Sequence, residues 1–140
     1  MIAIIDYGAG NLQSVVKAFE FIGCRVKIIQ NPEELQKADA AILPGVGSFG
    51  DAMNSLTARG FVAPIREFVR TGKPFLGICL GLQLLFESSE ESPGVEGLGI
   101  LKGKILRIPD APGLKIPHIG WNSLQYQGNP SMLFQGLSQS

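Results

Sequence analysis

The chain is poor in the residues that most often carry chemistry. Its 140 residues hold two cysteines (Cys24 and Cys79), one histidine (His118) and one tryptophan (Trp121). Two cysteines make no disulfide framework, and reduced thiols fit a cytoplasmic protein. One histidine beside two cysteines gives no zinc-ligand spacing, so no metal is expected. No charge of either sign is in excess, with 12 Lys+Arg against 12 Asp+Glu. No basic stripe is left for a phosphate backbone, which argues against nucleic acid as a partner. No apolar run nears the roughly 20 residues of a spanning helix, so no membrane partner is expected. The first residues lack the basic region and cleavage site of a secretion signal, and Met1 leads straight into a strand, which reads as a genuine start. The length predicts one domain, or a large part of one, with enough chain to bury a core.

What is present centres on one stretch, Gly77-Ile78-Cys79-Leu80-Gly81-Leu82-Gln83. The apolar run 74–78 reads as a short buried strand, and residues 80–87 read as an apolar helix that begins at once. A strand that becomes a helix through one residue needs a sharp bend. Glycines two before and two after leave room for it, as in the nucleophile elbow of hydrolases. Here the elbow residue is Cys79. Its sulfur is expected at a helix N-terminus, where free N–H groups and the helix dipole favour a thiolate. Taken alone, a free cysteine is more often a small buried hydrophobe; the two glycines and the strand-to-helix switch move Cys79 towards a nucleophile. Gln83, four residues on, shares its helix face.

The rest of the chain alternates strand and helix. Residues 1–6 read as a strand, and the turn at 7–11 offers Gly10 or Asn11 as the cap of a helix with Val15, Val16, Phe19 and Ile22 on its apolar face and Gly23 as its stop. The turn reads G-x-G-x-x-Q from Gly8. It lacks the third glycine and a later acidic residue, which excludes a dinucleotide site, and no cofactor is expected. Residues 25–30 are a second strand. Asn31 and Pro32 open a short helix, and residues 40–43 form a third strand. The segment 44–50 then places Gly45, Gly47 and Gly50 at a strand end, where backbone N–H groups approach a ligand closely. Residues 51–59 and 61–70 are expected to be helical, broken at Gly60 and modified near Pro64. This pattern predicts an α/β fold: an open, largely parallel, flavodoxin-like sheet with helices on both faces. In such sheets the chemistry lies beyond the carboxyl ends of the strands, where Gly8, Gly45 and Cys79 all fall. After a polar loop at 88–97, residues 98–108 and 115–124 read as strand-like pieces that pair as an antiparallel extension near the C-terminus. Residues 129–134 are expected to form a short helix or turn.

The motifs taken together, Asp6-Tyr7-Gly8-Ala9-Gly10-Asn11, Leu43-Pro44-Gly45-Val46-Gly47-Ser48-Phe49, the cysteine elbow and Pro117-His118-Ile119-Gly120-Trp121-Asn122, resemble the glutaminase subunits of imidazole glycerol phosphate synthases, from histidine biosynthesis. These are class I glutamine amidotransferases with the fingerprint G-x-C-x-G-x-Q. The resemblance spans residues 1–137. It implies that the Cys79 thiolate attacks the carboxamide of glutamine while the N–H of Leu80 and one from Gly45, Val46 or Gly47 hold the oxyanion. Gln83 would bind substrate. Ammonia would leave, a glutamyl thioester would be hydrolysed, and the ammonia would pass to a barrel-shaped cyclase subunit. His118, Trp121, Asn122 and Asn11 would lie at that interface, with core packing as the other reading of Trp121.

One departure from the family stands out. Its general base is a histidine followed two residues later by a glutamate, in a segment after the part that matches residues 133–137. The sequence holds no such pair. His118 sits in the Pro-His-x-Gly-Trp-Asn motif and is not assigned as the base. Residues 1–140 are therefore expected to be a C-terminally incomplete amidotransferase domain, inactive by itself. Two alternatives stand beside this: a non-catalytic module that binds the cyclase, and a cysteine hydrolase with the same elbow.

Overall fold

The computed structural model describes residues 1–128 and 131–137. The chain divides into two compact units, Met1–Arg107 and Ile108–Ser140.

The first unit is built on a four-stranded parallel sheet of β1 (Ile2–Ile5), β2 (Val26–Ile29), β3 (Ala40–Leu43) and β4 (Phe75–Gly77), in the order β2-β1-β3-β4. The strands are short continuous apolar runs, as expected of a sheet with cover on both sides. Register decides the facing. Ile4 and Ile42 lie side by side, both buried, while Ala3, Ile5, Ala41 and Leu43 face the other way. That second face carries the main core. Helices α3 (Phe49–Ala58) and α4 (Val62–Arg70) bring Phe49, Met53, Leu56, Ile65 and Phe68 onto it, and α2 (Pro32–Leu35) adds Leu35. Helix α1 (Leu12–Phe21) has no fully buried residue, and Ile22, expected on its apolar face, is exposed just beyond its end.

Specific polar bonds fix the connections. Lys73 Nζ donates to the carbonyls of Ala38 (2.7 Å) and Gln36 (3.2 Å) and lies 5.3 Å from the centre of the Phe68 ring, tying the entry to β3 against α4. Pro64 falls in the first turn of α4, where a missing N–H costs no helical bond, so the helix runs through it unbroken. Helix α3 begins at Phe49, not Asp51. Ser48 caps it by accepting from the Asp51 N–H at 3.2 Å, and Gly50 therefore belongs to the helix, not to the glycine loop before it.

The expected antiparallel extension does not form. Among the described residues the only further ladder is a two-residue parallel pairing of β5 (Ser88–Ser89) with β6 (Lys104–Ile105), and residues 115–124 contain no strand. The alternation finds cover only at its start, where Leu98 is buried and Ile100 packs on the core, while Leu106, Ile108 and Leu124 stay exposed. Pro109, Pro112 and Pro117 also withhold N–H donors from any ladder.

The second unit is irregular. Its described residues include one 3₁₀ turn, Met132–Phe134, with the Phe134 ring stacked on Tyr126 at 5.3 Å and the Tyr126 hydroxyl donating to the Leu137 carbonyl at 3.0 Å. The expected helix start at Asn129 and Pro130 lies outside the described residues.

Candidate active site

Cys79 lies two residues past the end of β4 and immediately before α5 (Leu80–Gln83), with φ 55° and ψ −118°. It is the one non-glycine residue with positive φ among those described. Such a conformation costs on the order of 1–3 kcal/mol and persists only where its surroundings enforce it. The enforcement is visible in the two glycines. A Cβ on Gly77 would lie 2.7 Å from Leu82 Cα, and one on Gly81 would lie 1.8 Å from the Leu43 carbonyl oxygen. Ile78 N–H donates to that same carbonyl at 3.0 Å, so the elbow is sewn to the end of β3. The thiol is left exposed.

The helix after the elbow is a single turn and does not reach Glu87 as its apolar pattern suggested. The turn tightens instead of propagating: the Leu85 and Phe86 N–H groups donate only three residues back, to Leu82 O (3.2 Å) and Gln83 O (3.1 Å), and the Glu87 N–H donates to Gly103 O at 3.0 Å. Beyond the turn the carbonyls of Leu84, Leu85 and Phe86 accept from the amides of 98–101 at 2.8–3.1 Å. Leu84 and Leu85 are buried at that junction. Within the turn, Gly81 N–H donates to Ile78 O, and Leu82 and Gln83 N–H groups both donate to Cys79 O. The Leu80 N–H makes none of these bonds. It is the amide next to Cys79 that takes no part in the bonding of the turn.

Gly45 reaches the elbow directly. A Cβ built on it would meet the Tyr7 hydroxyl at 2.6 Å, Gly81 N at 2.9 Å and Leu80 Cβ at 3.1 Å. No side chain fits there, which is the physical reason for glycine. Val46 and Gly47 are exposed, and Gly47 has φ 96°. The turn after β1 flanks the same loop, since the Cβ position of Gly10 lies 3.4 Å from Pro44 Cβ and 3.5 Å from Gly45 N. The expected convergence of the β1, β3 and β4 ends is therefore observed. Gln83, half-buried, closes the one-turn helix.

Three supporting groups were not singled out by the sequence. Tyr7 is fully buried and donates its hydroxyl proton to the Pro44 carbonyl at 2.8 Å; burial pushes its pKa up to about 12. Glu91 and Ser92 accept from the N–H groups of Phe49 (2.9 Å) and Gly50 (2.8 Å), so the loop at 88–97 caps the helix that follows the glycine segment. These pairs are 37 and 42 residues apart. No local pattern marks them.

At the neighbouring end of β1, Asp6 accepts from Gln30 Nε2 (2.8 Å) and from the Gly8 N–H (3.0 Å). The Gln30 bond chiefly, then the Gly8 bond and the charge of Arg59, outweigh partial burial and lower the Asp6 pKa. Asn11 caps α1 through its side chain, accepting from Ser14 N–H at 3.3 Å. In the second unit, His118 Nε2 lies 2.6 Å from Asn122 Nδ2, and Trp121 is fully exposed, which removes the core-packing reading. No described group of three His, Cys, Asp or Glu side chains is arranged to hold a metal, and no described helix is long and apolar enough to cross a membrane.

Residues 3–140 match the family described as glutamine amidotransferase class-I. The chain is 51% identical over 98% of its length to an imidazole glycerol phosphate synthase subunit HisH from Syntrophotalea carbinolica, covering 68% of that protein. It is 53% identical over 91% of its length to the HisH of Halalkalibacterium halodurans, covering 61% of it. The chain thus spans about two thirds of the length of the curated relatives it matches. Among solved structures, a glutamine amidotransferase superposes with a TM-score of 0.66 at 22% identity, over 76% of this chain and 57% of that one. A peptidase E-like protein from Listeria monocytogenes gives 0.58 at 16% identity, over 71% and 62%. At those identities the two structures support the fold alone.

Proposed function

Because the chain belongs to the class-I glutamine amidotransferase family, among the HisH subunits of imidazole glycerol phosphate synthase, we propose that it forms the nucleophile half of a glutaminase that feeds ammonia to a cyclase subunit in histidine biosynthesis. The observation that carries this reading is the backbone of Cys79, strained and exposed between two glycines that admit no side chain. A buried structural cysteine has no need of that strain.

The chemistry follows from the groups present. The Cys79 sulfur, as thiolate, forms a bond to the side-chain carboxamide carbon of glutamine. The carbonyl electron pair moves onto oxygen, and the Leu80 N–H with an N–H of the 45–47 segment stabilises it. Each such donor is worth about 3 kcal/mol of barrier in comparable acyl transfers. Collapse breaks the C–N bond. The nitrogen leaves as ammonia after taking a proton, and water then cleaves the thioester to glutamate and regenerates the thiol. Gln83 holds the substrate. The base that moves these protons is, by the family resemblance, a histidine two residues before a glutamate. The only histidine here is His118, followed by Ile119 and Gly120. The 140-residue chain by itself is therefore expected to turn over no glutamine. His118, Trp121, Asn122 and Asn11 serve the cyclase interface. The exposed indole of Trp121 suits a residue that is buried on association.

The test compares this chain with one extended to the length of its relatives, each combined with the cyclase subunit, and measures glutamate release. Activity is expected from the extended chain only, and Cys79→Ala should abolish it. An extended chain whose activity survives Cys79→Ala would overturn the assignment. Since no residue here matches the base, a second reading remains for the short chain alone: a cyclase-binding module without catalysis. Cyclase binding by the 140-residue chain with no glutamate release would be its signature.

A further inference from the structure

We propose that Tyr7 is a positioning residue for the oxyanion loop, its buried hydroxyl holding the Pro44–Gly45 peptide in one orientation against the cysteine elbow. This rests on the glutaminase reading above and deepens it. A trans peptide is planar, with C=O and the next N–H pointing opposite ways. Fixing the Pro44 carbonyl by the 2.8 Å bond from Tyr7 therefore fixes the direction of the Gly45 N–H as well. The contact leaves no slack. The hydroxyl lies 2.6 Å from where a Gly45 Cβ would stand, and the same point is 2.9 Å from Gly81 N and 3.1 Å from Leu80 Cβ. Phenol, loop and elbow are thus packed as three successive layers.

The donor is built to be constant. Tyr7 is fully buried, and its pKa, pushed up to about 12, keeps the proton on the oxygen throughout the pH range of amide hydrolysis. Pro44 and Gly45 are buried too, so the carbonyl has no water to turn to if the hydroxyl is removed. Val46 and Gly47, one and two residues on, are exposed. The loop is therefore pinned at its root and open at its tip, and the pin sets where the tip amides point. Tyr7 reaches this position because it follows β1, the central strand next to β3, and its ring fills the core beneath the β3 turn.

The prediction separates two reactions of one sulfur. Glutamine hydrolysis develops an oxyanion, whereas displacement of iodide from iodoacetamide does not. In the extended chain with its cyclase, Tyr7→Phe should lower kcat for glutamine by about 10- to 100-fold, since misaiming one oxyanion donor approaches the loss of one. KM should stay within about twofold, because the interaction strengthens only in the transition state. The rate of Cys79 alkylation should be unchanged. Should Tyr7→Phe not fold, the Tyr7 hydroxyl proton of the wild-type protein gives the second readout: held on the Pro44 carbonyl it should exchange slowly with solvent, and rapid exchange would overturn the pin. An unchanged kcat, or equal losses in hydrolysis and alkylation, would overturn the assignment. The carbonyl carbon resonance of Pro44 provides a readout that needs no turnover. It should move upfield in Tyr7→Phe, and an unmoved resonance would sink the pin even if the wild-type protein hydrolysed no glutamine, an outcome that would count separately against the function proposed above.

Discussion

Residues 1–107 and 108–137 both carry large apolar side chains and reach opposite ends of the burial scale. The first unit hides Phe49, Phe61 and Phe68 completely, along with Tyr7 and the inner face of the sheet. The second shows no buried residue among those described, and Ile119, Trp121, Met132 and Leu133 stand in solvent. The difference is one of partners. Apolar side chains stabilise a fold only when another surface removes them from water, at about 25 cal/mol per Å². The β-α alternation of the first unit supplies that surface, because each strand pairs with a neighbour and each helix lies across the pair. Among its described residues the second unit has one stacked pair, Tyr126 on Phe134, and a few turn bonds, and most of its large hydrophobic side chains stay exposed.

The sharpest way to break this contrast is at a glycine of the elbow. Gly81→Ala places a methyl 1.8 Å from the Leu43 carbonyl oxygen, backbone against backbone, with no flexible atom to yield. A loss of about 3 kcal/mol or more in urea unfolding is expected; an unchanged midpoint would show the packing of β3 on α5 to be looser than described. Next in size is a matched pair of truncations. Phe68→Ala, in the core, should cost about 3–5 kcal/mol, whereas Trp121→Ala, in the second unit, should stay within about 0.5 kcal/mol of wild type. Equal shifts in the two thermal midpoints would erase the distinction between the units. The smallest effect is a pH dependence. The folded-state pKa of Asp6 lies below its unfolded value of about 4, so the ionised carboxylate stabilises above that value. The contribution fades as pH falls through the folded pKa. Asp6→Asn should therefore be less stable than wild type at neutral pH and converge with it in acid. A gap that holds constant through the acid range would refute this.

Much of the first unit was legible because its signals are local. Short, mainly apolar runs give the four strands within a residue or two, and Asn11 marks a helix start by the chemistry of its own side chain, whereas the Ser48 cap puts the start of α3 two residues before the expected Asp51. The elbow was legible for the same reason, since glycine at 77 and 81 is a steric demand made by neighbours in sequence as well as in space. Where the reading failed, a distant group had intervened. The apolar pattern of 80–87 predicts a two-turn helix, but the Glu87 N–H that would have closed its second turn donates to Gly103 O instead. The alternation at 98–108 predicts one strand, yet only Lys104–Ile105 pairs in a ladder, while Leu98 and Ile100 pack on the core from irregular backbone. Asn31 sits at the start of α2 as expected but makes no side-chain cap.

By itself the sequence determined the order of elements and the glycine-lined bend at Cys79, because dihedral preference and side-chain period are properties of short stretches of chain. Only the tertiary structure decided which hydroxyl holds the glycine loop and which carboxylate caps the helix behind it. Those are hydrogen bonds between groups 37 and 42 residues apart. A donor and an acceptor at that separation meet only when the sheet has set its register and the core has closed around it.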